Sequence, residues 1–146
     1  GGGNAMRLLG IDPGERRIGI AVSDPGRSIA SPAGAIERGD PAETLRRIGD
    51  AARRHEAAGI VVGLPLNMDG SEGPAARSAR GFADSLRAAL NLPVFLWDER
   101  LTTAEADRFL KSAGLSRRKR SLRVDGIAAQ RILQSYLDSP GAKGAP

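Results

Sequence analysis

The sequence predicts a mixed α/β fold, a sheet that starts as an antiparallel meander and is extended by crossover helices. Two observations carry this. Three short apolar runs, at 7–11, 18–22 and 28–37, are joined by turns too short for a crossover, so they must pair antiparallel. From residue 40 onward, helix-periodic segments alternate with strands at 60–62 and 93–97, the pattern of crossovers that leave helices covering a sheet. The 146 residues fit one domain around one core, and neither an internal repeat nor a long linker divides them.

Each element has its own local signal. The run Arg7-Leu-Leu-Gly-Ile11 reads as a buried strand halted by the turn signal Asp12-Pro13-Gly14. Ile18-Gly-Ile-Ala-Val22 forms the second strand, and 28–37 contains a third, interrupted by Pro32 and Gly34. Asp40-Pro41-Ala42-Glu43 starts a helix with an N-cap, a proline at the first helical position and an acid in the first turn. Leu45, Ile48 and Ala52 give it a buried stripe, and Gly59 is expected to end it. After the strand at 60–62, a loop rich in Gly, Pro and Asn runs to Pro74. The following helix buries Ala75, Ala79, Phe82, Leu86 and Leu90, at steps of three and four. Residues 93–97 form the last strand. Thr102-Thr103-Ala104-Glu105 is a capping box for a short helix ending near Gly114, a basic loop follows at 115–123, and a final helix is expected at 124–138. Residues 1–5, Gly-Gly-Gly-Asn-Ala before Met6, read as an expression scar. The domain is placed at 6–139, with a flexible tail at 140–146.

Composition narrows the function classes. Cysteine is absent, which excludes disulfides and thiolate metal sites and fits a reducing, cytoplasmic compartment. No stretch is long and apolar enough to span a membrane. The formal charge of +5 favours anionic partners, nucleic acid above all. Nearly all of the positive charge is arginine, with lysine only at Lys111, Lys119 and Lys143. Arginine's planar fork suits phosphate, although a GC-rich genome produces the same bias.

Three acids stand out by position. Asp12 follows the first strand, Glu99 follows the strand ending at Trp97, and Asp125 opens the last helix. Ala129, Ile132 and Tyr136 lie behind Asp125 at steps of four, three and four, which turns it toward the sheet, while the helix dipole keeps it ionised. Clustered carboxylates without cysteine or a histidine set select hard cations, Mg²⁺ or Mn²⁺, and two such ions can drive phosphodiester cleavage. Each acid also has a plainer reading: Asp12 as a turn former, Asp125 as an N-cap, Glu99 as a partner of Arg100 or a solvent-exposed acid. Asp98 is the competitor of Glu99, since strand alternation points the two to opposite faces. The lone His55, on the first helix, reads as structural.

The motifs carrying these acids resemble a known family. They are Gly10-Ile-Asp-Pro-Gly-Glu-Arg-Arg-Ile-Gly-Ile-Ala-Val-Ser-Asp24, Val62-Gly-Leu-Pro-Leu-Asn-Met-Asp-Gly-Ser-Glu72, Asp98-Glu-Arg-Leu-Thr-Thr103, Val124-Asp-Gly-Ile-Ala-Ala129 and Ile132-Leu-Gln-Ser-Tyr-Leu-Asp138. In this order and spacing they resemble the YqgF family, also called RuvX-like, of pre-16S rRNA nucleases and Holliday junction resolvases. The resemblance runs from about residue 7 to 138. It implies a ribonuclease H-like fold with sheet order 3-2-1-4-5. It also implies catalytic and metal-holding roles for Asp12, Glu99 and Asp125, and work on the 5′ end of 16S rRNA within ribosomal precursor particles.

Other motif residues keep two readings. Gly10, Gly14 and Gly19 let backbone approach a phosphate or serve turns and packing. Asn67 contacts substrate or caps its loop. Arg16 and Arg17, with the run Arg117, Arg118, Lys119 and Arg120 beside Asp125, are candidate grips on a nucleic-acid backbone. A resolvase acting on DNA and a non-catalytic nucleic-acid or ribosome-binding module are the alternative functions. An actin-like kinase shares the first loop, but it needs two such domains.

Overall fold

A computed structural model describes residues 6–101 and 126–139. Five strands form one sheet in the order β3-β2-β1-β4-β5: β1 Arg7–Pro13, β2 Arg17–Ser23, β3 Ala30–Glu37, β4 Ala57–Leu64 and β5 Val94–Asp98. The pairs β1–β2 and β2–β3 are antiparallel, and β1–β4 and β4–β5 are parallel. This is the order the resemblance implies. Helices α1 (Pro41–Arg54) and α2 (Pro74–Leu90) provide the crossovers, and α3 (Ile127–Leu137) covers the opposite face. The basic run Arg117–Arg120, Asp125, the capping box at 102–105 and the tail from Pro140 lie outside the described residues.

Alternation along the strands sorts side chains into two cores. Leu9, Ile11, Ile18, Ile20, Ile60 and Val62 meet Ile48 of α1 and Ala83 and Leu86 of α2. Leu8, Ala21 and Val61 meet Ala128, Ala129, Ile132 and Leu133 of α3. The central strands are apolar on both faces because both are covered. Strand β3 tolerates Pro32 because it is an edge strand, and its register with β2 shifts between Gly19 and Ala21.

Several expected boundaries move, each for a local reason. Asp12 and Pro13 belong to β1, paired with Gly19 and Ile18, so Asp12 is the strand's penultimate residue and the turn starts at Gly14. A terminal proline costs β1 little, since it withholds only a last N–H. Helix α1 ends at Arg54 with His55 as C-cap, and Glu56 takes the left-handed conformation (φ 54°) that glycine usually supplies. Gly59 instead lies inside β4, where a Cβ would come within 3.2 Å of Leu8 Cδ2. In α2 the buried stripe is Ala76, Ala79, Ala83 and Leu86; Ala75 is exposed, and Phe82 and Leu90 are half-buried. Strand β5 runs one residue past Trp97, to Asp98. The N-cap of α3 is Gly126; Asp125, expected to open that helix, lies outside the described residues.

Candidate active site

The strand parity that buries Leu9 and Ile11 under α1 and α2 turns Leu8, Gly10 and Asp12 toward α3. Asp12 is only 5% exposed there. A Cβ on neighbouring Gly19 would lie 3.4 Å from Asp12 Cβ, 3.6 Å from Ala129 Cβ and 3.7 Å from Gly126 Cα. The start of α3 therefore stands directly beside Asp12. It gets that close because the sheet beneath it lacks side chains: a Cβ on Gly10 would be 2.7 Å from Leu133 Cβ. Gly126 itself has φ 89°, and a Cβ on it would meet Ile20 O at 2.7 Å and Pro32 Cβ at 3.0 Å. Gln130 and Gln134 hold the helix to the start of β3: Gln130 Nε2 donates to Ala30 O (3.1 Å), and Gln134 Oε1 accepts from Ala30 N (2.9 Å).

Glu99 reaches the same face from the far side. It opens a short 3₁₀ turn after β5 and is 1% exposed. Its carboxyl lies over Gly63, where any Cβ would collide with Glu99 Oε1, stand 3.0 Å from the carboxyl carbon and press on Ile132 Cδ1 at 2.5 Å. Ile11 of β1 pairs with Val62 of β4. One step further, that register sets Gly63 beside Asp12. Asp12 on β1 and the Glu99 carboxyl, which the turn after β5 lays over Gly63 of β4, thus stand over adjoining strands, whose spacing is about 4.8 Å. Asp12 Oδ1 and Glu99 Oε1 are buried and accept no hydrogen bond, although each residue has a polar or electrostatic interaction. Among the described residues no third histidine, cysteine or carboxylate joins them to make a metal cluster. Asp125, the residue before Gly126, lies outside the described residues.

Asp98 is engaged elsewhere. Arg100 donates to it from its backbone N (2.9 Å), Nε (3.1 Å) and Nη2 (2.7 Å), and those bonds hold the Asp98 carboxyl below its ordinary range against the opposing effect of burial. Arg100 Nη1 also donates to Met68 O at 3.2 Å, tying the loop after β4 to the end of β5. In that loop Asn67 is a capping residue: its N–H donates to Ser71 O, its carbonyl accepts from Gly70 N, and its Nδ2 donates to Ser71 Oγ. Gly14 is a packing glycine, since a Cβ would strike the Arg17 carbonyl. Arg16 and Arg17 are exposed at the β1–β2 turn beside Asp12, and Arg17 pairs with Glu37 at 3.4 Å. His55 caps α1 away from this face; burial, then Arg54 and Arg7, lower its pKa. Sequence reasoning missed Gly63 as the seat of Glu99. The only signal was a glycine directly after the apolar run 60–62.

The RuvX family model, described as Holliday junction resolvase, matches residues 6–139. The chain belongs to the RuvX family. A relative from Pelotomaculum thermopropionicum is 50% identical over 137 residues, covering 93% of this chain and 89% of its own. One from Anaeromyxobacter sp. strain K is 51% identical over 133 residues, covering 91% and 97%. Both bear the name "Putative pre-16S rRNA nuclease". Among solved structures, Thermus thermophilus RuvC in complex with Holliday junction substrate aligns over 90% of this chain and 92% of its own, with TM-score 0.58 and 16% identity. A second Thermus thermophilus RuvC structure gives TM-score 0.55 at 14% identity, over 90% and 93%. At such identities the likeness establishes the fold, which this RuvX member shares with RuvC: a ribonuclease H-like mixed sheet in the order 3-2-1-4-5.

Proposed function

We propose that this RuvX member is a metal-dependent nuclease that hydrolyses phosphodiester bonds of RNA, trimming the 5′ end of precursor 16S rRNA in the cytoplasm. The observation that carries the reading is the pair of buried carboxylates on the α3 face, Asp12 on β1 and Glu99 lying over the adjoining β4. Relatives half identical over most of the chain, which bear the name of pre-16S rRNA nucleases, support RNA as the substrate class.

The donor set fits a hard divalent cation, Mg²⁺ or Mn²⁺, because it is all oxygen and the chain has no cysteine. Asp12 and Glu99 would hold the metal, joined by Asp125, which the family resemblance adds. When bound, such ions supply Lewis-acid polarisation of the phosphodiester and an activated water. The chain's own contribution is positional. Gly63, Ile132 and the start of α3 confine both carboxylates and keep them dry, so little reorganisation is needed as charge develops. In the reaction, water oxygen bonds to phosphorus and the bond to the leaving sugar oxygen breaks. That oxygen takes the electron pair and a proton, while water gives one up. Arg16, Arg17 and the basic run Arg117, Arg118, Lys119 and Arg120 are assigned to the nucleic-acid backbone.

The resolvase reading rests on the family description and on RuvC. One assay separates the two: the purified chain with Mg²⁺ or Mn²⁺ on precursor rRNA fragments and on four-way DNA junctions. Cleavage of the RNA is expected. Asp12→Asn and Glu99→Gln should each slow it by about a hundredfold or more, roughly 3 kcal/mol of transition-state stabilisation, whereas Asp98→Asn should stay active. Preference for junctions would replace the substrate. Binding without any cleavage would leave a non-catalytic module.

A further inference from the structure

A cleft of about 330 Å³ opens between the residues that follow β3, the first turns of α1 and the middle of α2. Phe82 and Leu45 give it an apolar floor, and Ser78, Ser85 and the buried Thr44 line it with hydroxyls. Arg38 covers one side, its guanidinium 5.0 Å from the centre of the Phe82 ring. Strand register fixes where this cleft lies. Asp12 pairs with Gly19 and Gly19 with Ala35, so β3 leaves the sheet at the edge where β1 ends. Arg38 N donates to Arg16 O at 2.8 Å and joins that exit to the β1–β2 turn. The end of β3 is therefore about two strand spacings, roughly 10 Å, across the sheet from the end of β1, and the cleft opens beyond it, on the α1–α2 face around the same edge.

Charge marks this edge as well. Half of the described arginines are tied to carboxylates: Arg17 to Glu37, Arg46 and Arg47 to Glu43, Arg53 to Asp50, Arg80 to Glu72, Arg87 to Asp84 and Arg100 to Asp98. Arg16 and Arg38 have no carboxylate partner among the described residues. They stand in line from the Asp12 end of β1 to the cleft.

From this arrangement we infer that the cleft is a subsite for one unpaired base of the strand cut at Asp12 and Glu99. The Arg38 guanidinium, backed by the Phe82 ring it lies over, provides the stacking surface, and Arg16 steers the backbone over the β1–β2 turn. A planar guanidinium and an aromatic ring are the two surfaces on which splayed bases stack, and both are sequence-tolerant. The hydroxyls of Ser78 and Ser85 offer donors and acceptors to a base edge. The inference rests on the nuclease reading for its substrate class. It deepens that reading by requiring a single-stranded flank a few nucleotides from the cut.

The test is a binding cycle, run with metal withheld so that nothing is cut. Single-stranded oligonucleotides, as RNA and as DNA, carry an abasic residue at successive positions. They are titrated against the wild-type chain and the variants Arg38→Gln and Ser78→Tyr, the second of which fills the cleft from an exposed helix position and removes no charge. One abasic position should weaken wild-type binding about tenfold, the worth of one stacked base. Each variant should lose a similar factor on the intact strand and almost nothing more on that abasic strand. Melting temperatures of the variants should match wild type, and the nucleic acid giving the larger coupling identifies the substrate class. Equal losses on intact and abasic strands, or no sensitive position in either nucleic acid, would overturn the subsite. Base coupling without cleavage once Mg²⁺ or Mn²⁺ is restored would count against the nuclease reading and leave the subsite standing.

Discussion

At the scale of single residues, the placement of Glu99 depends on an atom that is missing from Gly63. Gly63→Ala would put a methyl into the space of the Glu99 carboxyl and 2.5 Å from Ile132 Cδ1, so both must move. Overpacking of this kind costs about 1–3 kcal/mol. The expected signature is a lower melting temperature together with loss of metal-dependent cleavage, measured well below that melting temperature so that the molecules are folded. Gly49→Ala is the control. Its Cβ would also be tight, 2.9 Å from Leu90 Cδ2, but it lies on the α1–α2 face, and cleavage should survive. Cleavage at the wild-type rate by folded Gly63→Ala would show that Glu99 need not sit where it does. Asp12 and Glu99 were legible as candidates because acids at the ends of apolar runs are conspicuous. Gly63 was not, because a glycine after a strand reads first as punctuation, and only the register reveals what fills the space above it.

At the scale of elements, the end of β5 and the loop after β4 are held as one unit through Arg100, which bonds both Asp98 and the Met68 carbonyl. Alternation alone predicts that Asp98 and Glu99 part company, and they do: one faces its clamp, the other α3. The sign of the pH effect follows from the lowered Asp98 pKa. A carboxyl whose folded value lies below its unfolded one adds stability above the unfolded value, and that stability disappears as pH falls through the folded value. Removing the cause with Arg100→Gln should therefore cost most near neutrality, about 1 kcal/mol once partial exposure is allowed for. The gap between variant and wild type should narrow below the ordinary aspartate value near 3.8. Urea unfolding at pH 7, 5, 4 and 3 measures it, and a gap independent of pH would remove Asp98 from the account. Helix ends were read less well than strand parity. Glu56 carries the left-handed turn after α1 without being glycine, so the glycine rule pointed to Gly59, three residues too far.

At the scale of the whole molecule, the two-part order of strands was legible because connection length dictates pairing sense: short turns can only give antiparallel neighbours, and helical crossovers give parallel ones. What no local pattern reveals is which distant residues share an edge, and so the cleft of Arg38 and Phe82 went unread; its lining comes from the residues that follow β3, from α1 and from α2. The same edge sets the last prediction, which concerns how a chain of net charge +5 uses that charge. Arginines already paired on the surface gain little from, and lend little to, a polyanion, whereas those touching phosphates release counterions on binding. The run Arg117, Arg118, Lys119 and Arg120 precedes Asp125 closely in sequence, and Arg16 follows Asp12 by four residues, in the β1–β2 turn. In an Asp12→Asn background, where nothing is cut, replacing the run by Ser should flatten the dependence of log K on log salt for single-stranded RNA. The expected change is about 0.7 for each phosphate that the protein no longer neutralises. Arg16→Gln should remove one such step. Both changes should weaken different sequences by a similar factor, because phosphates carry no sequence information. A slope unchanged by the four replacements but reduced by Arg16→Gln would move the backbone path off the basic run, onto the turn and the cleft beyond it.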